Sequence, residues 1–157
     1  MVRVRKPSCV KSGEFPLAFS ALGARPADAS PSAISTDSPL FRQVLEEVTR
    51  LVKVSDGTVV FSVPGTRNRY TQLNCINDAL SAKSVSNDYS EGAEQLSAAH
   101  IELLITLGWN APDVRHAGNY WRDWNAPFPL EEVAAFLTTT IMRIHNAPAA
   151  GVTVVRI

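Results

Sequence analysis

Thr58-Val-Val-Phe-Ser-Val63, Tyr70-Thr-Gln-Leu-Asn-Cys-Ile76 and Leu80-Ser-Ala-Lys-Ser-Val-Ser86 follow one another closely, and their spacing decides the fold. The first run is β-branched and alternates, with Val59, Phe61 and Val63 on one face. Pro64-Gly-Thr-Arg-Asn68 separates it from the second run, and Asn77-Asp78 can turn tightly into the weaker third. A parallel crossover needs a dozen or more residues, so connections this short predict an antiparallel meander.

The flanking segments read as helices. Ser38 is a good N-cap and Pro39 suits the first helical position. Leu40, Phe41, Val44, Leu45, Val48, Leu51 and Val52 then recur at helical spacing, predicting a helix over 39–53. After a polar loop over 87–95, Ser97 caps a second helix through Ile101, Leu103, Leu104 and Leu107, which Gly108 ends. Asn119-Tyr-Trp-Arg-Asp-Trp124 reads as a further strand, with Tyr120, Arg122 and Trp124 on one face and Trp121 and Asp123 on the other. Pro127 and Pro129 end it and launch a third helix with Leu130, Val133, Ala134, Leu137, Ile141 and Ile144 in one stripe. Residues 152–157 form a last edge strand or a tail. The predicted class is α+β, an antiparallel sheet packed with three helices in the order α-βββ-α-β(β)-α. Residues 37–148 form the domain and 149–157 the tail or edge strand. Residues 1–36, rich in Pro, Ser and Ala and without a sustained period, read as a disordered leader.

The chain has 157 residues, enough for one ordinary domain. Lys plus Arg equals Asp plus Glu at 15 each, so no global field draws it toward nucleic acid or an anionic membrane. Neither is an expected partner, and no stretch approaches the roughly 20 apolar residues of a membrane span. Arg3, Arg5, Lys6 and Lys11 before Phe15–Leu22 faintly mimic an export signal, but Pro16 interrupts the apolar run and Arg25 and Asp28 crowd the cleavage region. The two cysteines, Cys9 and Cys75, form no disulfide framework and no C-x-x-C pair, which suits a reducing cytoplasm.

No motif specifies a reaction, so no catalytic residue and no cofactor is assigned. His100, His116 and His145 show no i, i+4 metal spacing. His145 reads as a cation near a helix C-terminus. A pocket from His100, His116 and Cys75 that holds a metal or a small molecule is the alternative reading. Glu46-Glu47 and Glu131-Glu132 read as solvated helix faces, because neighbours on a helix point about 100° apart. Arg67 and Arg69 sit at a hairpin tip and could meet an anionic partner. The unusual cluster is aromatic: Trp109, Tyr120, Trp121 and Trp124 include all three tryptophans, with Arg122 among them. Aromatics with Arg are enriched at binding hot spots. Trp109, Tyr120, Arg122, Trp124, Arg67 and Arg69 are therefore the candidate partner-binding residues, with Trp121 or Trp109 expected in the core.

Leu107-Gly-Trp109 and Asn119-Tyr-Trp-Arg-Asp-Trp124, followed by Pro127 and an amphipathic helix, resemble the type III secretion chaperone-like and YbjN-like peptide-binding chaperone domains, widespread in actinobacteria. Tyr70-Thr-Gln-Leu73 and Val85-Ser-Asn87 fit the same pattern, and the resemblance covers about 38–148. It implies a non-catalytic domain that offers an apolar surface to a protein or peptide client and often pairs as a homodimer.

Overall fold

The computed structural model describes residues 35–157, so the predicted leader over 1–36, its cysteine Cys9 and the signal-like start lie almost wholly outside the described residues. The first helix, α1 (Pro39–Val54), starts where Ser38 Oγ accepts the amide of Phe41 at 3.1 Å, and ends at Ser55 in the left-handed region. Next come β1 (Asp56–Ser62), β2 (Tyr70–Ile76) and β3 (Ala79–Ser84). Asn77 and Asp78 both hold positive φ, the paired conformation that a two-residue hairpin needs. Two short 3₁₀ turns, Asn87–Tyr89 and Gly92–Glu94, precede α2 (Ala98–Leu107), capped by Ser97 and closed by Gly108 at φ 101°. A third such turn, Val114–His116, leads into β4 (Tyr120–Trp124), then α3 (Leu130–Arg143) and β5 (Thr153–Arg156).

All strand pairs are antiparallel, in the order β4-β3-β2-β1-β5. The meander and the α+β class match the sequence reading. The C-terminal stretch takes the edge-strand option, pairing with β1 through Val60↔Val155 and Ser62↔Thr153.

Alternation divides the sheet cleanly. Val59, Phe61, Leu73, Cys75, Leu80 and Ala82 are buried on one face and join one cluster with Leu40, Val44, Val48 and Leu51 of α1, Leu104 of α2 and Val133, Leu137 and Ile141 of α3. Each such aliphatic side chain contributes roughly 1.5–3 kcal/mol on burial, so this layer dominates stability. The opposite face carries Val155, Val60, Gln72, Lys83 and Trp121 in one cross-strand row. No helix among the described residues packs there, and most of its side chains are half-buried or exposed.

Two sequence expectations are corrected. Glu47 is not solvated; it is 4% exposed. Arg156 on β5 crosses over α1 and donates to its carboxylate through Nε at 3.0 Å and through Nη2, while Arg50 Nε donates at 3.0 Å from the same helix. The Arg156 hydrogen bond, working against burial and aided by Arg50, holds this carboxyl below the usual range. The adjacent Glu46, Glu131 and Glu132 are exposed as expected. His145 is likewise no surface cation. The chain turns back under the sheet after α3, and the imidazole is fully buried. Its Nε2 lies 2.9 Å from Ser84 Oγ while Nδ1 has no partner. Burial, helped by Arg69 and His100, pushes its pKa down to about 3, so it is neutral.

Candidate protein-binding surface

The aromatic cluster is built where β4, the C-terminal end of α2 and α3 meet. Trp109 follows Gly108 directly and turns into the core at 2% exposure, where its Nε1 donates to Thr140 Oγ1 at 2.9 Å. Tyr120 is also core, at 6% exposure, opposite Ser84 in the β3–β4 register. Both rings are spent on the fold and present almost no area to a partner. Of the two tryptophans expected as core, Trp109 is the buried one, whereas the burial of Tyr120 is not legible in the alternation of its strand.

Arg122 and Trp124, two and four residues along the same strand face, remain half-buried. Phe136 of α3 stands between the tryptophans, with centroids 4.8 Å from Trp109 and 5.4 Å from Trp124, the second edge-on. The Arg122 guanidinium carbon lies 4.5 Å from the Phe136 centroid and 5.4 Å from that of Trp124. Arg122 Nη1 also donates to the carbonyl of Leu107 at 3.3 Å, satisfying an orphan at the negative end of α2. Gly108 makes this approach possible: a Cβ there would stand 2.5 Å from Arg122 Nη1. The result is a ledge of Arg122, Trp124 and Phe136, extended by the half-buried Leu103 and Leu107. Rings held edge to face with a cation over them form a rigid, partly wet apolar surface, which is what a recognition surface requires. Phe136 was missed in the sequence; its signal is a large aromatic just off the apolar stripe of α3.

The two hairpin arginines are not part of this ledge. They sit beyond the Ser62–Tyr70 end of the meander, whereas Trp124 pairs with Leu80 at the other end. Glu94 accepts the amides of Arg67 at 2.8 Å and Asn68 at 3.0 Å, fixing the loop. Arg69 Nη2 donates to the carbonyl of Ala93 at 2.7 Å, so this guanidinium staples two loops together. Arg67 keeps its side chain exposed.

On the helix-free face, His116 stacks on Trp121 at 4.0 Å with an interplanar angle of 8°. Its Nδ1 meets Asp113 Oδ1 at 2.7 Å, and that carboxylate also caps the turn. Trp121 is therefore half-buried under a histidine rather than in the core.

The pocket of His100, His116 and Cys75 is not assembled. Cys75 is fully buried on the helix-covered face, His116 lies on the opposite face, and His100 lies in the first turn of α2 near His145. No group of three or more His, Cys, Asp or Glu side chains suited to a metal occurs among the described residues. Burial, with Asp78 and Asp56 nearby, pushes the Cys75 thiol up, the opposite of nucleophile activation. Ser84 and His145 form the one close Ser–His pair among the described residues, but neither side chain is exposed to solvent.

A family model described as T3SS (YopN, CesT) and YbjN peptide-binding chaperone 3 matches residues 37–152, which takes in every element except β5. No curated protein and no solved structure matches the chain.

Proposed function

This chain belongs to the family of T3SS (YopN, CesT) and YbjN peptide-binding chaperones, and from that membership we propose that it is a non-catalytic adaptor or chaperone for a protein client. The family match carries the reading. The half-buried ledge supports it and gives it an address: Trp124 and Arg122 face the client, Phe136 backs them, and Trp109 and Tyr120 hold the platform from beneath. Arg67, at the far hairpin, is a second and separate contact for an anionic part of a client. Binding proceeds by groove docking, with apolar client side chains laid across rings already fixed in place. The protein works in a reducing cytoplasm, in keeping with the free thiol of Cys75 and with the lack of any helix among the described residues long and apolar enough to cross a membrane. It pairs with a second copy of itself.

A displayed-peptide selection against the full chain tests this. The expected outcome is a set of apolar, aromatic-rich peptides whose affinity falls about thirtyfold or more in Trp124→Ala, the loss of a central Trp anchor of at least about 2 kcal/mol. Unchanged affinity in a folded Trp124→Ala protein moves the site away from the ledge, and failure to select any peptide overturns client binding.

A further inference from the structure

The geometry of β5 points to how two copies pair, which deepens the homodimer part of the reading above and rests on it. Thr58 and Ile157 exchange both backbone hydrogen bonds, at 3.0 and 2.9 Å. Counting by twos along the ladder, Thr153, Val155 and Ile157 aim their N–H and C=O groups at β1. Val154 and Arg156 therefore aim theirs outward, away from the sheet. β5 ends the strand order, so no strand among the described residues meets these groups. An edge left this way is a template for another strand unless shortness, charge, a proline, a bulge or a covering element blunts it; β5 is short, but residues 153–157 contain no proline and their one charged side chain, Arg156, is paired with Glu47.

We propose that the occupant is β5 of a second copy, antiparallel, with the twofold axis passing through Val155 perpendicular to the sheet. This register is self-complementary at every position. Val154 and Arg156 of one copy exchange backbone bonds with Arg156 and Val154 of the other. Val155 meets Val155 of the second copy in a non-hydrogen-bonded pair, where side chains come closest. Thr153 meets Ile157 of the second copy. These side chains lie on the helix-free face, where Val155 is 47% and Ile157 80% exposed and the half-buried Val60 continues the apolar strip. Two sheets of five strands would thus join into one of ten, covering apolar surface that is bare in a single copy.

Charge permits the approach. The register sets the two Arg156 side chains diagonally across the axis on the helix-covered face, where two free cations would repel. Each is already bound to the buried Glu47 of its own α1, and Glu46 stands close enough to favour its charged form. The junction is a ring of alternating carboxylates and guanidiniums. A strand this short makes a pairing that depends on concentration, well below the area of a permanent dimer.

The test uses the full chain with Cys9→Ser, so that Cys75, buried, is the only other thiol. Val155→Cys is oxidised with glutathione disulfide, and Thr153→Cys is the control. A non-hydrogen-bonded antiparallel pair has Cα atoms about 4.5 Å apart, within disulfide reach. Val155→Cys is expected to cross-link to twice the chain mass, and Thr153→Cys, facing Ile157, is not. Light scattering across a concentration series should show the unmodified chain reaching twice its mass and Val155→Lys remaining single with an unchanged melting temperature. A single-mass unmodified chain at every concentration sinks the homodimer itself. A double-mass chain whose Val155→Lys variant still pairs, or whose Val155→Cys variant does not cross-link, sinks the β5 edge and leaves the homodimer standing.

Discussion

Trp109→Ala will destabilise the domain by about 3–5 kcal/mol, the range for truncating a fully buried large aromatic. The ring is 2% exposed, packs on Phe136 and donates to Thr140 Oγ1. Its loss leaves a cavity between α2 and α3 and undermines the ring that supports Trp124. Thr140 keeps a partner, because its hydroxyl also donates to the Phe136 carbonyl at 3.0 Å. The cost is therefore one of packing more than of an orphaned polar group. Urea unfolding followed by far-ultraviolet circular dichroism reads it directly, with Trp124→Ala as the comparison. Trp124 is half-buried, so its truncation should cost less than half as much. A Trp109→Ala protein within about 1 kcal/mol of the parent overturns the separation of platform from contact surface.

Acid will destabilise the protein from near pH 6.5 downward, well before its carboxylates titrate. His145 is buried and neutral, with its pKa pushed down to about 3 from an ordinary 6.5. The unfolded chain takes up this proton at 6.5 and the folded chain does not. Stability conferred by a neutral His145 is therefore full above 6.5 and falls with pH toward the folded value, by about 1.4 kcal/mol per unit. Between pH 6.5 and 4.5 the loss is about 2 kcal/mol, a large share of the stability of a domain this size. Glu47 acts in a separate window. Its pKa is lowered on folding, so its contribution is present above 4.5 and is lost only below that. In His145→Gln, which keeps an amide near Ser84 Oγ and cannot titrate in this range, the slope between 6.5 and 4.5 should flatten while the fall below 4.5 persists. Equal slopes in the two proteins refute the assignment.

The sequence carried the periodic elements well. α1 has a full apolar stripe between Ser38-Pro39 and a clear stop, and the meander has too little chain between its runs for any other connection. Local pattern says nothing about groups whose environment is set from far along the chain. Glu47 looks like its neighbour Glu46, and the difference lies in Arg156, 109 residues away. His145 looks like the end of a helix because it directly follows one, yet the chain turns inward there and buries it against Ser84. Within Tyr120–Trp124 the alternation was right, but a period of two cannot say that Tyr120 is buried while Arg122 and Trp124 on the same face stay half-buried. The ledge was thus half legible: Arg122 and Trp124 were named, Trp109 and Tyr120 proved to be its foundation, and Phe136 went unnoticed beside a stripe it does not join.

β1 lies between two partners of very different sequence distance, and this bears on the order in which the chain assembles. Toward β2 it closes a hairpin of a few residues. Toward β5 it closes nearly the whole domain, a span of the same scale as the 109 residues between Gln43 and the Val152 carbonyl that it holds. Going from a loop of about ten residues to one of about a hundred adds about 2 kcal/mol of closure entropy, spent before any contact repays it. The amides of β1 and of Val63 just beyond it alternate between these two partners: Val63 donates to Arg69 across the hairpin, while Thr58 donates to Ile157. Pulse-labelled hydrogen exchange during refolding should therefore protect Phe61 before its neighbour Val60, and simultaneous protection would refute the order. One strand records both the early and the late half of folding, residue by residue.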